Sequence, residues 1–231
     1  MTGHKEIEHP TWSVQHAEAQ LTVGELSGQV QVASPQAGIH DLVVRGARLE
    51  GHVLAVSRAS ENDWPLRLGE SYVREQDLVA MYEPATDWPY APQIYWRAED
   101  AAAGKAMLGA LSLLVSVQTH LLDTCPRIAV TTQLPAEELI QVGEGCLLWR
   151  LADGELSYAE MMLSSDYREL KIQPGSQRMH SASWELFAEF LEKGVIRKAR
   201  LKAVLLPREN DVALAKGCYE ALSQQPLPLT T

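Results

Sequence analysis

The chain has 231 residues, 46% hydrophobic and 22% charged, a composition that fits a folded globular protein and argues against disorder. Its 20 Lys and Arg stand against 30 Asp and Glu, a net charge of -10. Such a field repels nucleic-acid phosphates and anionic membrane surfaces, so neither is expected as a partner.

Met1 to Pro10 is polar and lacks the apolar stretch of a secretory signal, and the first ~20 residues read as a flexible arm, residues 1–20. From Leu21 onward, short apolar runs are broken by turn residues every ~8–12 positions, the texture of an all-β protein. Gln29-Val30-Gln31-Val32 alternates and is stopped by Ser34-Pro35-Gln36-Ala37-Gly38. Asp41-Leu42-Val43-Val44 and His52-Val53-Leu54-Ala55-Val56 follow as further strands. Alternation puts one face of a strand on a core and the other in water.

Asp63-Trp64-Pro65 recurs as Asp87-Trp88-Pro89, and each precedes an aromatic-basic strand, Tyr72-Val73-Arg74 and Tyr95-Trp96-Arg97. The echo is either turn chemistry used twice or a loose duplication. Ala101-Ala102-Ala103 after Asp100 reads as a helix start, and Leu113 to His120 as a strand. Ile128 to Thr132 returns as another strand after a turn at Asp123-Thr124-Cys125-Pro126. The clearest element is a hairpin about Asp153-Gly154, with Leu147, Trp149 and Leu151 alternating before it and Leu156, Tyr158 and Met162 after it.

Trp184, Phe187, Phe190 and Leu191 have helical spacing, with a hairpin strand as the competing reading. Lys198, Arg200 and Lys202 alternate with Ala199, Leu201 and Ala203, a strand with one basic face. That ladder could receive a carboxylate or phosphate, face acidic neighbours, or guard a sheet edge. Asn210-Asp211 caps a last helix that carries Leu214, Ala215, Cys218, Ala221 and Leu222 on one side. The expectation is one domain, residues 21–224, and an extended tail, residues 225–231. Its fold class is mainly β, an antiparallel β-sandwich with one or two C-terminal helices.

Two groups of residues carry candidate chemistry. Residues 64–96 concentrate Trp and Tyr, while Phe occurs only twice in the chain. Flat amphipathic rings stack on the C–H faces of sugars, and Arg and acids take the hydroxyls. Trp64, Arg74, Trp88, Tyr95, Trp96 and Arg97 are therefore the expected ligand-binding residues, unless the rings fill the core. Ser116, Gln118 and His120 project from one side of a strand, and Tyr158 and Glu160 from another. His120 and Glu160 would form an acid and base pair if those strands were neighbours, with a solvated sheet face as the alternative.

No metal, redox or other cofactor is expected. The arm's His4, His9 and His16 match no compact ligand spacing, and there is no glycine-rich phosphate loop, Gly-x-Ser-x-Gly or His-Glu-x-x-His. Cys125, Cys146 and Cys218 are widely spaced and odd in number, which reads as reduced thiols of a cytoplasmic protein; Cys125 has no evident base.

The series Tyr72–Tyr82, Ile94–Glu99, Leu113–Leu122, Ile128–Gln133 and Cys146–Met162, with Leu191-Glu192-Lys193-Gly194-Val195-Ile196-Arg197, resembles the large β-sandwich of the galactose-mutarotase-like superfamily. The resemblance implies a carbohydrate bound on a concave sheet, and in some members epimerisation by a His acid and a Glu base. The epimerases' usual His motifs are not recognisable in this chain, so it implies fold more than activity. His120 and Glu160 come from strand alternation and not from the family. Three functions follow as expectations. The first is binding of a carbohydrate or similar polar ligand on an aromatic- and Arg-lined face. The second is a sugar epimerase or isomerase on that face. The third is an interaction module, or a homo-oligomer, anchored by Trp64, Trp88 and Trp96.

Overall fold

The computed structural model describes residues 11–100, 107–152, 154–176 and 178–225. In chain order the strands are β1 (Thr11–Gln15), β2 (Glu18–Val23), β3 (Leu26–Gln31), β4 (Ile39–Val44), β5 (Ala47–Arg48), β6 (His52–Arg58), β7 (Arg67–Arg74) and β8 (Asp77–Glu83). They continue as β9 (Tyr90–Asp100), β10 (Gly109–Thr119), β11 (Ile128–Gln141), β12 (Cys146–Leu151), β13 (Leu156–Met162), β14 (Glu169–Pro174), β15 (Met179–Leu186) and β16 (Arg197–Pro207). One helix, α1 (Asp211–Ser223), ends the described fold. The protein is mainly β, and its strand pairs are antiparallel.

The ladder has two sections joined by β11. The first runs β14-β15-β11-β6-β4-β3-β2-β1, and the second β11-β12-β13-β16-β10-β9-β8-β7. Residues 128–133 of β11 lie between β6 and β15, Leu134 and Pro135 pair with β15 alone, and Ala136 to Gln141 pair with β12. The corner falls at Pro135, which has no N–H to give a ladder, and next to a register shift between Ala136 and Glu138. The free ends of the path then approach each other. Trp12 Nε1 donates to Gln76 O at 3.1 Å, and Tyr82 Oη donates to Val32 O at 2.6 Å. The sheet closes nearly into a barrel.

Both sections turn apolar residues into one core, including Leu21, Val30, Val56, Val130 and Trp184 from the first and Leu78, Trp96, Leu113, Trp149 and Leu205 from the second. β12 and β13 pair as the hairpin expected about Asp153-Gly154, with Trp149 opposite Tyr158 and both rings in the core, while Asp153 itself lies outside the described residues. Part of the second section's other face is covered by α1, where Ala215, Leu222, Leu214 and Cys218 pack with Cys146, Leu148, Ala159 and Val204. Ala221 is exposed.

Several expectations are corrected. Residues 11–20 are not an arm: β1 and β2 form a hairpin, and Trp12 is buried. Trp184 belongs to strand β15, not to a helix. Asn210 is left-handed and makes no side-chain cap. Asp211 instead accepts from Arg150 Nε at 3.0 Å, Ser157 Oγ at 2.8 Å and Val212 N at 2.8 Å. β16 is paired on both sides, so its basic face guards no edge. The helix start expected at Ala101, and all but Gln225 of the expected tail, lie outside the described residues.

Candidate ligand-binding face

The two Asp-Trp-Pro turns converge. The rings of Trp64 and Trp88 meet edge to face at 5.5 Å, with Tyr82 4.9 Å from Trp64 and Tyr90 5.1 Å from Trp88. Arg58 lies between the two aspartates, donating to Asp63 at 2.6 Å and standing 3.9 Å from Asp87. Trp88 Nε1 donates to Pro126 O at 3.2 Å. The echo is thus one packed cluster, and Trp64 and Trp88 fill the core instead of facing a ligand. Trp96 also points inward, at 1% exposure.

Tyr95, Arg97 and Arg74 point the other way, Tyr95 buried at 4% exposure with Val79 and Leu114 beneath Tyr72 and Met81. The registers of β7, β8, β9, β10 and β16 build three rows on the second section's outward face. One row is Arg74-Asp77-Arg97-Ser112-Lys202, the next Tyr72-Val79-Tyr95-Leu114-Arg200, and the third Glu70-Met81-Gln93-Ser116-Lys198. Directly opposed side chains on one face stand in contact.

Its electrostatics are ordered. Asp77 accepts a bidentate pair from Arg97 at 2.7 and 2.9 Å and has Arg74 at 4.0 Å. The hydrogen bond to Asp77 holds Arg97 above its usual range. Arg74 sits over the Tyr95 ring at 6.0 Å, and Tyr95 Oη donates to Gln93 Oε1 at 2.7 Å. Burial pushes the Tyr95 phenol up, so it is a neutral donor at ordinary pH. Lys202 meets Glu99 at 3.1 Å. Arg200 Nη2 donates to Leu222 O at 3.2 Å and Gln225 O at 2.9 Å, marking the border with α1.

Beyond the third row, Gln118 opposes Ala91, and both line a cavity of ≈ 310 Å³ at the end of the face. Thr119, His120, Lys193 and Gly194 line it too. The loop carrying Lys193 is tied there by Gly194 N donating to Thr119 O at 3.0 Å.

The structure does not bring Glu160 and His120 together. Glu160 is fully buried inside the core. It accepts from Tyr158 Oη at 2.9 Å, from Trp184 Nε1 at 2.9 Å and from Thr132 Oγ1, while Thr132 Oγ1 accepts from Leu54 N at 3.1 Å. Burial pushes the Glu160 carboxyl up. His120 follows the end of β10, exposed. Proton transfer across one bound sugar needs both groups at that sugar, and this pair does not supply it. The Cys125 thiol donates to Phe187 O at 3.4 Å and is raised by burial, which is not the state of an activated nucleophile. Among the described residues no cluster of three or more His, Cys, Asp or Glu could hold a metal ion.

Gln93 was missed by sequence reasoning although it shares the two-residue period of Tyr95 and Arg97. Thr132 and Trp184 as partners of Glu160 had no sequence signal, because strands far apart in the chain bring them together.

No family model matches the chain, and no curated protein matches it in sequence. Solved structures do resemble it. A protein assigned as a kojibiose phosphorylase from human microbiome is 9% identical at a TM-score of 0.52, covering 91% of this chain and 32% of that one. Heparan sulfate lyase HepC from Pedobacter heparinus is similar at a TM-score of 0.51 in two structures. The mutant is 8% identical, covering 86% of this chain and 35% of that one; the other is 9% identical, covering 81% and 35%. The chain therefore spans about a third of the length of these neighbours. At such identities the likeness is one of fold. No helix among the described residues is long and apolar enough to cross a membrane.

Proposed function

We propose that the outward face of β7, β8, β9, β10 and β16 binds a carbohydrate, without a redox cofactor. The observation that carries the reading is one face holding Tyr72, Arg74, Arg97 and Gln93 in adjacent rows over the buried Tyr95, with a cavity at its end. Fixed guanidinium and amide groups hold sugar hydroxyls, and half-buried Tyr72 offers a ring edge for C–H contact. The carbohydrate-processing neighbours support the same class of ligand. We read the two sections as the layers of a galactose-mutarotase-like β-sandwich, and the reduced thiols as fitting a cytoplasmic protein.

A thermal-shift panel of neutral sugars, amino sugars and uronic acids tests this. Ligand at 100 times its dissociation constant adds about 2.7 kcal/mol to stability. A saturable rise in Tm that Arg74→Ala and Tyr72→Ala weaken is the expected result; no shift across the panel overturns the reading.

A second reading rests on a different observation. Leu121, Leu122, Phe190, Val195 and Ile196 are exposed in two loops joined by the Thr124–Leu191 bridge. Such a patch suits an interaction module or a second copy of the chain, and sedimentation at several concentrations would show assembly.

A further inference from the structure

We propose that the sugar taken by this face is an acidic one, whose carboxylate or sulfate seats at the cavity end between Lys193, His120 and Lys198. The inference rests on the carbohydrate reading above and narrows it.

Charge placement argues for it. The chain as a whole is strongly acidic, yet Arg74, Arg97, Lys198, Arg200 and Lys202 gather on one face. Four of these are engaged: Arg74 and Arg97 with Asp77, Lys202 with Glu99, and Arg200 with two carbonyl oxygens. Lys193 and Lys198 make no ion pair among the described residues; Lys193 lines the cavity, and Lys198 stands on the sheet face one position short of it. Lys198 is directly opposite Ser116 and so a diagonal neighbour of Gln118, which lines the cavity. Lys193, on the loop that Gly194 fastens to Thr119, and His120, just past the end of β10, line the same cavity.

The chemistry is complementary. Lys193 and Lys198 offer charged donors, and Gln118 a neutral one. A neutral sugar placed here leaves both ammonium groups without a counter-charge. A uronate or sulfated sugar supplies one, and further rings of an oligosaccharide would run along the face past Gln93 toward Arg97, about 20 Å away at the rise of a strand.

The test is direct binding to the full chain by calorimetry. The probes are an oligogalacturonate, the same sugar's neutral methyl ester, a sulfated neutral oligosaccharide and polyglutamate. The expected result is that oligogalacturonate or the sulfated sugar binds at least about tenfold more tightly than the neutral ester. The difference should collapse in Lys193→Gln/Lys198→Gln, both exposed or half-exposed positions whose retained Tm shows an intact fold. The two acidic probes distinguish carboxylate from sulfate. Equal binding of ester and acid, or indifference to the double substitution, overturns the acidic-sugar proposal and leaves the carbohydrate reading in place. Polyglutamate binding as well as the sugars also overturns it, because charge alone is then recognised. No binding by any sugar sinks both.

Discussion

Glu160 places a carboxyl where water does not reach, among Tyr158, Thr132 and Trp184. Three donors satisfy its oxygens, yet burial outweighs them and its pKa is raised from 4.5. The sign of the pH effect follows. A raised native pKa means that the folded state binds the proton more tightly than the unfolded one. The resulting stability is fully present below the unfolded value and is lost as pH rises through the native pKa. Glu160→Gln removes this dependence, so urea denaturation of both proteins between pH 4 and pH 9 should favour the variant increasingly as pH rises. A constant difference across that range would show that Glu160 does not titrate between folded and unfolded states. This carboxyl was legible as an acid on a strand. Its side of the sheet was not, because alternation assigns residues to two faces without saying which one is wet. The same ambiguity separated Trp96 from Tyr95 and Arg97, neighbours in sequence that face opposite sides.

Among the elements, β6 and β11 pair irregularly. Their register shifts between Thr131 and Gln133, and Leu54 adopts a φ of 58° with its N–H on the Thr132 side chain. Gly51, just before β6, has a φ of 94°, and a Cβ there would run into the carbonyl oxygen of Gln133. Gly51→Ala should therefore cost at least about 2 kcal/mol, read as a lowered denaturant midpoint with an unchanged slope. A neutral result would mean that the β6–β11 junction relaxes freely. The hairpin at Asp153-Gly154 was legible because its turn and its alternation are local. The helical spacing around Trp184 misled, since four apolar residues at that spacing also occur when a strand, β15, runs into an apolar loop. Helix α1 was legible from its one-sided pattern, whereas its start was set by Arg150 and Ser157, residues of distant strands.

At the scale of the molecule, closure depends on contacts between the two ends of the strand path. Trp12, 6% exposed on β1, donates to Gln76 in the turn between β7 and β8. Trp12→Ala removes a buried ring and this hydrogen bond together, an expected loss of about 3–5 kcal/mol. Amide exchange should then quicken in β1 and in β7–β8, which carries the Tyr72 and Arg74 side of the candidate face. Unchanged protection there would show that the path holds without its seam.

From the sequence alone came whatever depends on near neighbours. Strand period, turn chemistry, the final helix and the basic ladder of β16 are each written within a few residues. So was the choice of Tyr and Arg around residues 72–97, because an amphipathic composition is visible without coordinates. Only the tertiary structure decided which of those residues share a surface. Arg74, Tyr95 and Arg97 meet because three strands align in one register, and Lys198 joins them from more than a hundred residues further on. Trp64 and Trp88 left that surface because burying large rings in a shared core is more favourable than leaving them wet. Glu160 left it by the parity of its strand, which turned it toward Trp184 and away from any ligand.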